Sequence, residues 1–148
     1  MKPLELISNK AVWNVDALKG SSNRNNYDEI KYIEENHTDQ ISINLKNKNL
    51  QNLLKHAVKS TGFYEPYKSY NSIEDFPVIN KIVIRDNYED FLSKEFINFP
   101  KFKVSTSGST GTPFTAFQNK NKRIRNLSDT IYFSEKAGFK ILINLTYF

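Results

Sequence analysis

The chain has no cysteine. That excludes a disulfide framework, a thiolate nucleophile and any cysteine-based zinc site. It also lacks an apolar run long enough to span a membrane. The start, Met1-Lys2-Pro3-Leu4-Glu5-Leu6, has no apolar core of the secretory-signal kind, so a cytoplasmic location is expected. No internal repeat, heptad or low-complexity domain is visible. Acidic charge is outweighed, giving a formal net charge of +5 over 148 residues. The basic residues are spread out, and the densest cluster is Lys120, Lys122, Arg123 and Arg125. A nucleic-acid module concentrates its charge more than this, so a lysine-rich solvated surface is the reading, with no nucleic-acid partner. Hydrophobic content of 39% and charged content of 25% fit a soluble chain that can bury its own core.

What is present stands out against this background. Ser105-Thr106-Ser107-Gly108-Ser109-Thr110-Gly111-Thr112-Pro113 is a run of hydroxyl and glycine residues closed by proline. Glycine lets a backbone turn through positive φ and approach a ligand closely. Successive amides can then converge on one anion, and Ser and Thr hydroxyls donate further hydrogen bonds. The run reads as a grip on the phosphates of a nucleoside triphosphate. It is not a Walker A loop, which needs a lysine followed by Ser or Thr and a helix at once; here Thr112-Pro113 follows Gly111. Phe102-Lys103-Val104 and Phe114-Thr115-Ala116-Phe117 alternate on either side, which predicts strand–loop–strand. The plainer alternative is a flexible Ser/Thr/Gly hairpin with no ligand.

Thr106 to Pro113 resembles the phosphate-binding signature of the adenylate-forming enzymes. These include acyl-CoA synthetases, aryl-CoA ligases, luciferases and peptide-synthetase adenylation domains. Many members carry lysine after the proline. Phe114 stands there in this chain, which points toward the phenylacetate-CoA ligase branch. Upstream, Leu50 to Val58, Gly62-Phe63-Tyr64, Phe76-Pro77-Val78-Ile79-Asn80-Lys81, Ile84-Arg85-Asp86-Asn87 and Asp90-Phe91-Leu92-Ser93 follow one another. That order is similar to the phenylacetate-CoA ligase-like proteins of capsular polysaccharide loci, the CapK-type family. The resemblance runs from about Ala11 to Lys140.

The resemblance implies an ATP-dependent ligase that activates a carboxylate as an acyl-adenylate, with Mg2+ sharing the phosphate charge. A thiol, coenzyme A in many members, or another acceptor then captures the acyl group. Thr106, Ser107, Ser109, Thr110 and Thr112 would contact the phosphates. Gly108 and Gly111 would permit the close wrap, and Pro113 would stiffen the exit. No residue of the chain is assigned as catalytic, and none as a metal ligand. The family's adenine loop, ribose-binding aspartate, magnesium-assisting motif and small-domain lysine have no counterpart here, so little activity is expected of this chain alone. The alternative is a stand-alone, non-catalytic module that binds a nucleotide or a partner.

The expected fold class is α/β or mixed α+β: a helical N-terminal half, strands around the loop, then a helix. Residues 1–45 form an ill-defined segment, with Trp13 in a short apolar stretch and Gly20 to Asn26 as a polar turn or linker. Residues 46–148 would be part of an adenylate-forming large domain, cut near 140, where Ile141 to Phe148 reads as a core strand cut short or residues read out of frame. Tyr27 to Glu35 is expected to be helical, with Glu29 outward. The clearest helix runs from Lys46 to Ser60, with Leu50, Leu53, Leu54, Ala57 and Val58 on one face and Gly62 as its stop. His56 lies beside that face as a structural or solvated residue. Ser72 to Asp75 has the shape of a capping box, Pro77 biases Phe76 to extended backbone, and Asn80 caps a helix from Lys81. Lys81 itself is read as a surface residue. Asn121 to Ala137 is expected to be helical and closed by Gly138, with Ile124, Leu127, Ile131 and Phe133–Ala137 inward. Arg123 and Arg125 are read as solvated, the alternative being that one faces an anion.

Overall fold

The computed structural model describes residues 13–106 and 113–139. Most of these are helical. Residues 13–18 form α1. Then come α2 (Ser22–Glu35), α3 (Gln40–Ser60), α4 (Lys81–Asp86), α5 (Tyr88–Phe91), β1 (Phe102–Ser105), β2 (Thr115–Gln118) and α6 (Lys120–Lys136). Short 3-10 turns lie at Glu65–Tyr67, Ile73–Asp75 and Lys94–Phe96. Among the described residues the one sheet is the antiparallel pair β1–β2. The mixed α/β expectation therefore holds at the coarse level, as a helical fold with a small sheet. Ile141 to Phe148, and with them the expected strand, lie outside the described residues.

Two compact units are present. The first holds the described residues up to Ile43 together with those from Asn121 on, and the second runs from Asn44 to Lys120. In the first unit, Ile33, Ile131 and Tyr132 are buried. Trp13, Tyr27 and Tyr132 form an edge-to-face series, with centroids 5.4 and 5.9 Å apart. The polar stretch Ser22 to Asn26 is the first turn of α2 rather than a linker. The reason is Asp16. Its buried carboxylate accepts from the backbone N–H of Asn23 at 3.1 Å and of Arg24 at 2.8 Å, and from the Asn23 side chain at 2.8 Å. An acceptor seven and eight residues upstream thus satisfies two orphan amides of a helix that Ser21, at φ 58°, does not cap. Ser128 Oγ donates to the Asn23 carbonyl at 3.0 Å.

Arg125 and Glu29 depart from the expected outward positions. The Arg125 guanidinium meets Glu29 at 2.9 Å and Asp129 at 3.2 Å, with about two thirds of each side chain covered. Arg125 is therefore committed to carboxylates of its own unit and does not face a free anion. Phe133, expected inward, is 49% exposed, while Ile131 and Tyr132 take the interior. Gly138 closes α6 as expected. At φ 84° it lets its own N–H reach the Glu135 carbonyl at 3.0 Å and the Phe139 N–H reach Ser134 at 2.9 Å, a Schellman arrangement.

In the second unit, Leu54 and Val58 are buried on α3. Leu53, expected on the same face, is 62% exposed. Gly62 has no positive φ, so it does not stop the helix as a left-handed cap. Its role is closeness: a Cβ there would stand 3.0 Å from Asp90 Oδ1, while the Phe63 N–H donates to the Asp90 carbonyl at 3.0 Å. Asn80 caps α4 through Oδ1, which accepts from Ile82 and Val83 at 2.9 and 3.0 Å. The Asp75 carboxylate accepts from the N–H groups of Asn71 and Ser72 at 2.7 and 3.1 Å, and Phe76 is extended before Pro77. The stretches between α3 and β1 converge through aromatic rings. Phe63 stacks on Phe91 at 4.1 Å, Tyr64 meets both Phe91 and Phe76 at 5.7 Å, and Tyr67 and Tyr70 close on Phe76.

Candidate functional site

The hydroxyl- and glycine-rich run connects, in sequence, the two strands of the antiparallel pair β1–β2. The ladder pairs Phe102 with Gln118, Lys103 with Phe117, Val104 with Ala116 and Ser105 with Thr115. Strand–loop–strand was legible because the period-2 alternation lies on both sides of the run. Beyond the ladder, Thr106 and Phe114 fasten the mouth. The Thr106 N–H donates to the Phe114 carbonyl at 2.9 Å, and the Phe114 N–H donates back to Thr106 Oγ1 at 3.1 Å. Thr106 therefore anchors the loop, its amide already used. Pro113 is exposed. Ser107, Gly108, Ser109, Thr110, Gly111 and Thr112 lie outside the described residues.

Opposed residues share a face of the ribbon. One face carries Phe102, Val104, Ala116 and Gln118; the other carries Lys103, Ser105, Thr115 and Phe117. On the second face the hydroxyls of Ser105 and Thr115 meet at 3.0 Å, and the Lys101 ammonium stands 4.9 Å from the centre of the Phe117 ring. This face joins hydroxyls, cations and one exposed ring at the base of the loop. For magnesium the hairpin offers hydroxyl and carbonyl oxygens and no carboxylate, since no Asp or Glu occurs between Ile97 and Ser128. Among the described residues no three His, Asp or Glu side chains converge to hold a metal ion.

A second constellation lies on α3 and the turn before β1, and sequence reading did not assemble it. His56 Nδ1 faces Glu95 Oε2 at 3.4 Å. Its Nε2 faces Ser60 Oγ at 3.0 Å and Ser93 Oγ at 3.3 Å, and its ring tilts against Phe96 at 5.5 Å. The connectivity is that of a serine–histidine–carboxylate relay. The Ser60 hydroxyl is engaged within α3, donating to the His56 carbonyl at 2.6 Å. The cluster is a clasp that holds the turn Lys94–Phe96 to α3. Its partners stand up to 39 positions from His56 in sequence, which is why the histidine looked solitary. Lys81 is exposed in the first turn of α4.

No family model matches the chain, and no curated protein or solved structure matches it. No helix among the described residues is long and apolar enough to cross a membrane.

Proposed function

We propose that the hairpin carrying Thr106 to Pro113 is the phosphate-binding element of an adenylate-forming ligase of the phenylacetate-CoA ligase-like, capsule-associated type. The observation that carries the reading is the sequence of the loop, held between antiparallel strands whose mouth Thr106 and Phe114 fasten at 2.9 and 3.1 Å. A phosphate grip needs its ends fixed so that amides and hydroxyls between them can converge on one anion. In the reaction, a carboxylate attacks the α-phosphorus of ATP and pyrophosphate leaves; the acyl-adenylate then passes to a thiol or another acceptor. The part assigned to this chain is the first: Ser107, Ser109, Thr110 and Thr112 hold phosphate oxygens, and Gly108 and Gly111 allow the approach. Holding charge in place is the main demand of such a step, and the carboxylate needs no general base. ATP arrives with Mg2+ on its phosphates.

The adenine loop, ribose-binding aspartate and small-domain lysine of the resembled family have no counterpart in this sequence, so the expected behaviour is binding without turnover. Titration of the chain with Mg·ATP tests this. Binding that Gly108→Val weakens at least tenfold supports the reading, because a branched Cβ blocks the close approach. Equal binding by wild type and variant counts against it.

A further inference from the structure

We propose that the outer edge of β1 docks an extended acidic peptide. The peptide joins the sheet as a third strand, with Asp or Glu side chains beside Lys103 and apolar side chains beside Phe102 and Val104. The inference stands on the β1–β2 ladder and is independent of what the loop between the strands holds.

The register selects the backbone groups. In an antiparallel pair, directly opposed residues alternate between exchanging hydrogen bonds and not exchanging them. The Thr106 N–H donates to the Phe114 carbonyl at 2.9 Å, and this pair continues the register of Val104 with Ala116 and Phe102 with Gln118. Val104 and Phe102 therefore turn their N–H and C=O groups toward β2, while Lys103 and Ser105 turn theirs away. The hydroxyls of Ser105 and Thr115, 3.0 Å apart, show the close side-chain approach of a pair without ladder bonds. β2 is the one strand beside β1, so among the described residues the backbone groups of Lys103 and Ser105 face an open edge. All of β1 is exposed, whereas Thr115, Ala116 and Gln118 of β2 are half-buried.

The side chains select the occupant. Phe102 and Val104, on one face of the ribbon, are 41% and 39% exposed, and a neighbouring strand gains there from apolar residues. Lys103 stands on the other face, where Lys101 Nζ also lies, 4.9 Å from the centre of the Phe117 ring. Neither lysine pairs with a carboxylate among the described residues. A second copy of β1 would set a lysine-bearing strand against another, and like charges across a pair destabilise it; lysine on an edge strand deters such pairing. A strand with a carboxylate at every second position and apolar residues between satisfies both faces, and its main chain fills the edge. A two-stranded ribbon is marginal alone, so the third strand also steadies β1.

Titration of the full chain with an acetylated, amidated peptide of alternating Glu and Val, about eight residues long, tests the proposal. Saturable binding is expected, with hydrogen exchange at the Lys103 and Ser105 amides slowed about tenfold. Lys103→Glu is expected to weaken this peptide about tenfold and to prefer a counterpart of alternating Lys and Val. That reversal of preference is a result that a misfolded variant cannot give. Lys55→Glu, which reverses an exposed charge on α3, controls for net charge and is expected to match wild type. Absence of saturation at millimolar peptide overturns the proposal. Equal binding of both peptides by wild type overturns it too, since charge would then select nothing. Protection of the Lys103 and Ser105 amides that grows with chain concentration, without peptide, also overturns it and makes a second copy the occupant.

Discussion

Ser42 is fully buried in α3, and its hydroxyl has no hydrogen-bond partner among the described residues. A buried polar group without a partner costs about 1–3 kcal/mol, and alanine is also the better helix former. Ser42→Ala is therefore expected to raise stability by about 1 kcal/mol in urea denaturation; a loss of similar size would show that the hydroxyl is satisfied. Tyr27 gives a pH signature. Its hydroxyl donates to Glu135 at 2.6 Å, and burial first, then the Glu135 carboxylate, hold its proton well above the ordinary tyrosine value. The folded chain thus keeps a proton that the unfolded chain loses near pH 10. The contribution is full below that pH and falls as pH rises beyond it. The urea midpoint should drop between about pH 10 and 11, and Tyr27→Phe should flatten that drop. Legibility at this scale followed sequence distance. The Asn80 cap and the Gly138 stop were readable because their partners lie within a few residues. The ion pair of Arg125 with Glu29 bridges 96 positions, and nothing local in either helix announced it.

Helices were readable in their middles and misjudged at their ends. Apolar spacing located α3 but started it at Lys46, because Ile41, Ile43 and Leu45 alternate at the period of a strand; the helix nevertheless starts at Gln40. The polar start of α2 read as a turn because its cap is Asp16, outside any helix-start pattern. The hairpin was the best-read element, since strand alternation on both sides leaves only the register to be found. Its weakness is size: two strands alone are marginal in water, and β1 is exposed throughout. The bond from Phe114 N–H to Thr106 Oγ1 is then a large share of what closes the mouth. Thr106→Val keeps the shape and removes the acceptor. Amide exchange at Phe114 is expected to speed up at least tenfold while amides within α6 stay unchanged; unchanged protection at Phe114 would mean that the ladder alone closes the loop.

At the scale of the whole molecule, the chain is a helical fold in two units, with the hairpin belonging to the Asn44–Lys120 unit. The stretches around Gly62, Phe76 and Asp90, upstream of the loop, come together there through the Phe63, Tyr64, Phe76 and Phe91 rings. Sequence order alone could not show that convergence, because it depends on the close passage of Gly62 against Asp90. Neither could it show that Lys103 shares a face with Ser105 and Thr115, because that depends on a one-residue choice of register. The central claim is that this hairpin holds the phosphates of ATP. Its most direct measurement is a titration of the chain with Mg·ATP followed by backbone amide chemical shifts. Saturable shifts centred on Thr106 to Phe114, reproduced by tripolyphosphate without the nucleoside, are the predicted result. Absence of saturable shifts at those residues at millimolar ligand would contradict the claim.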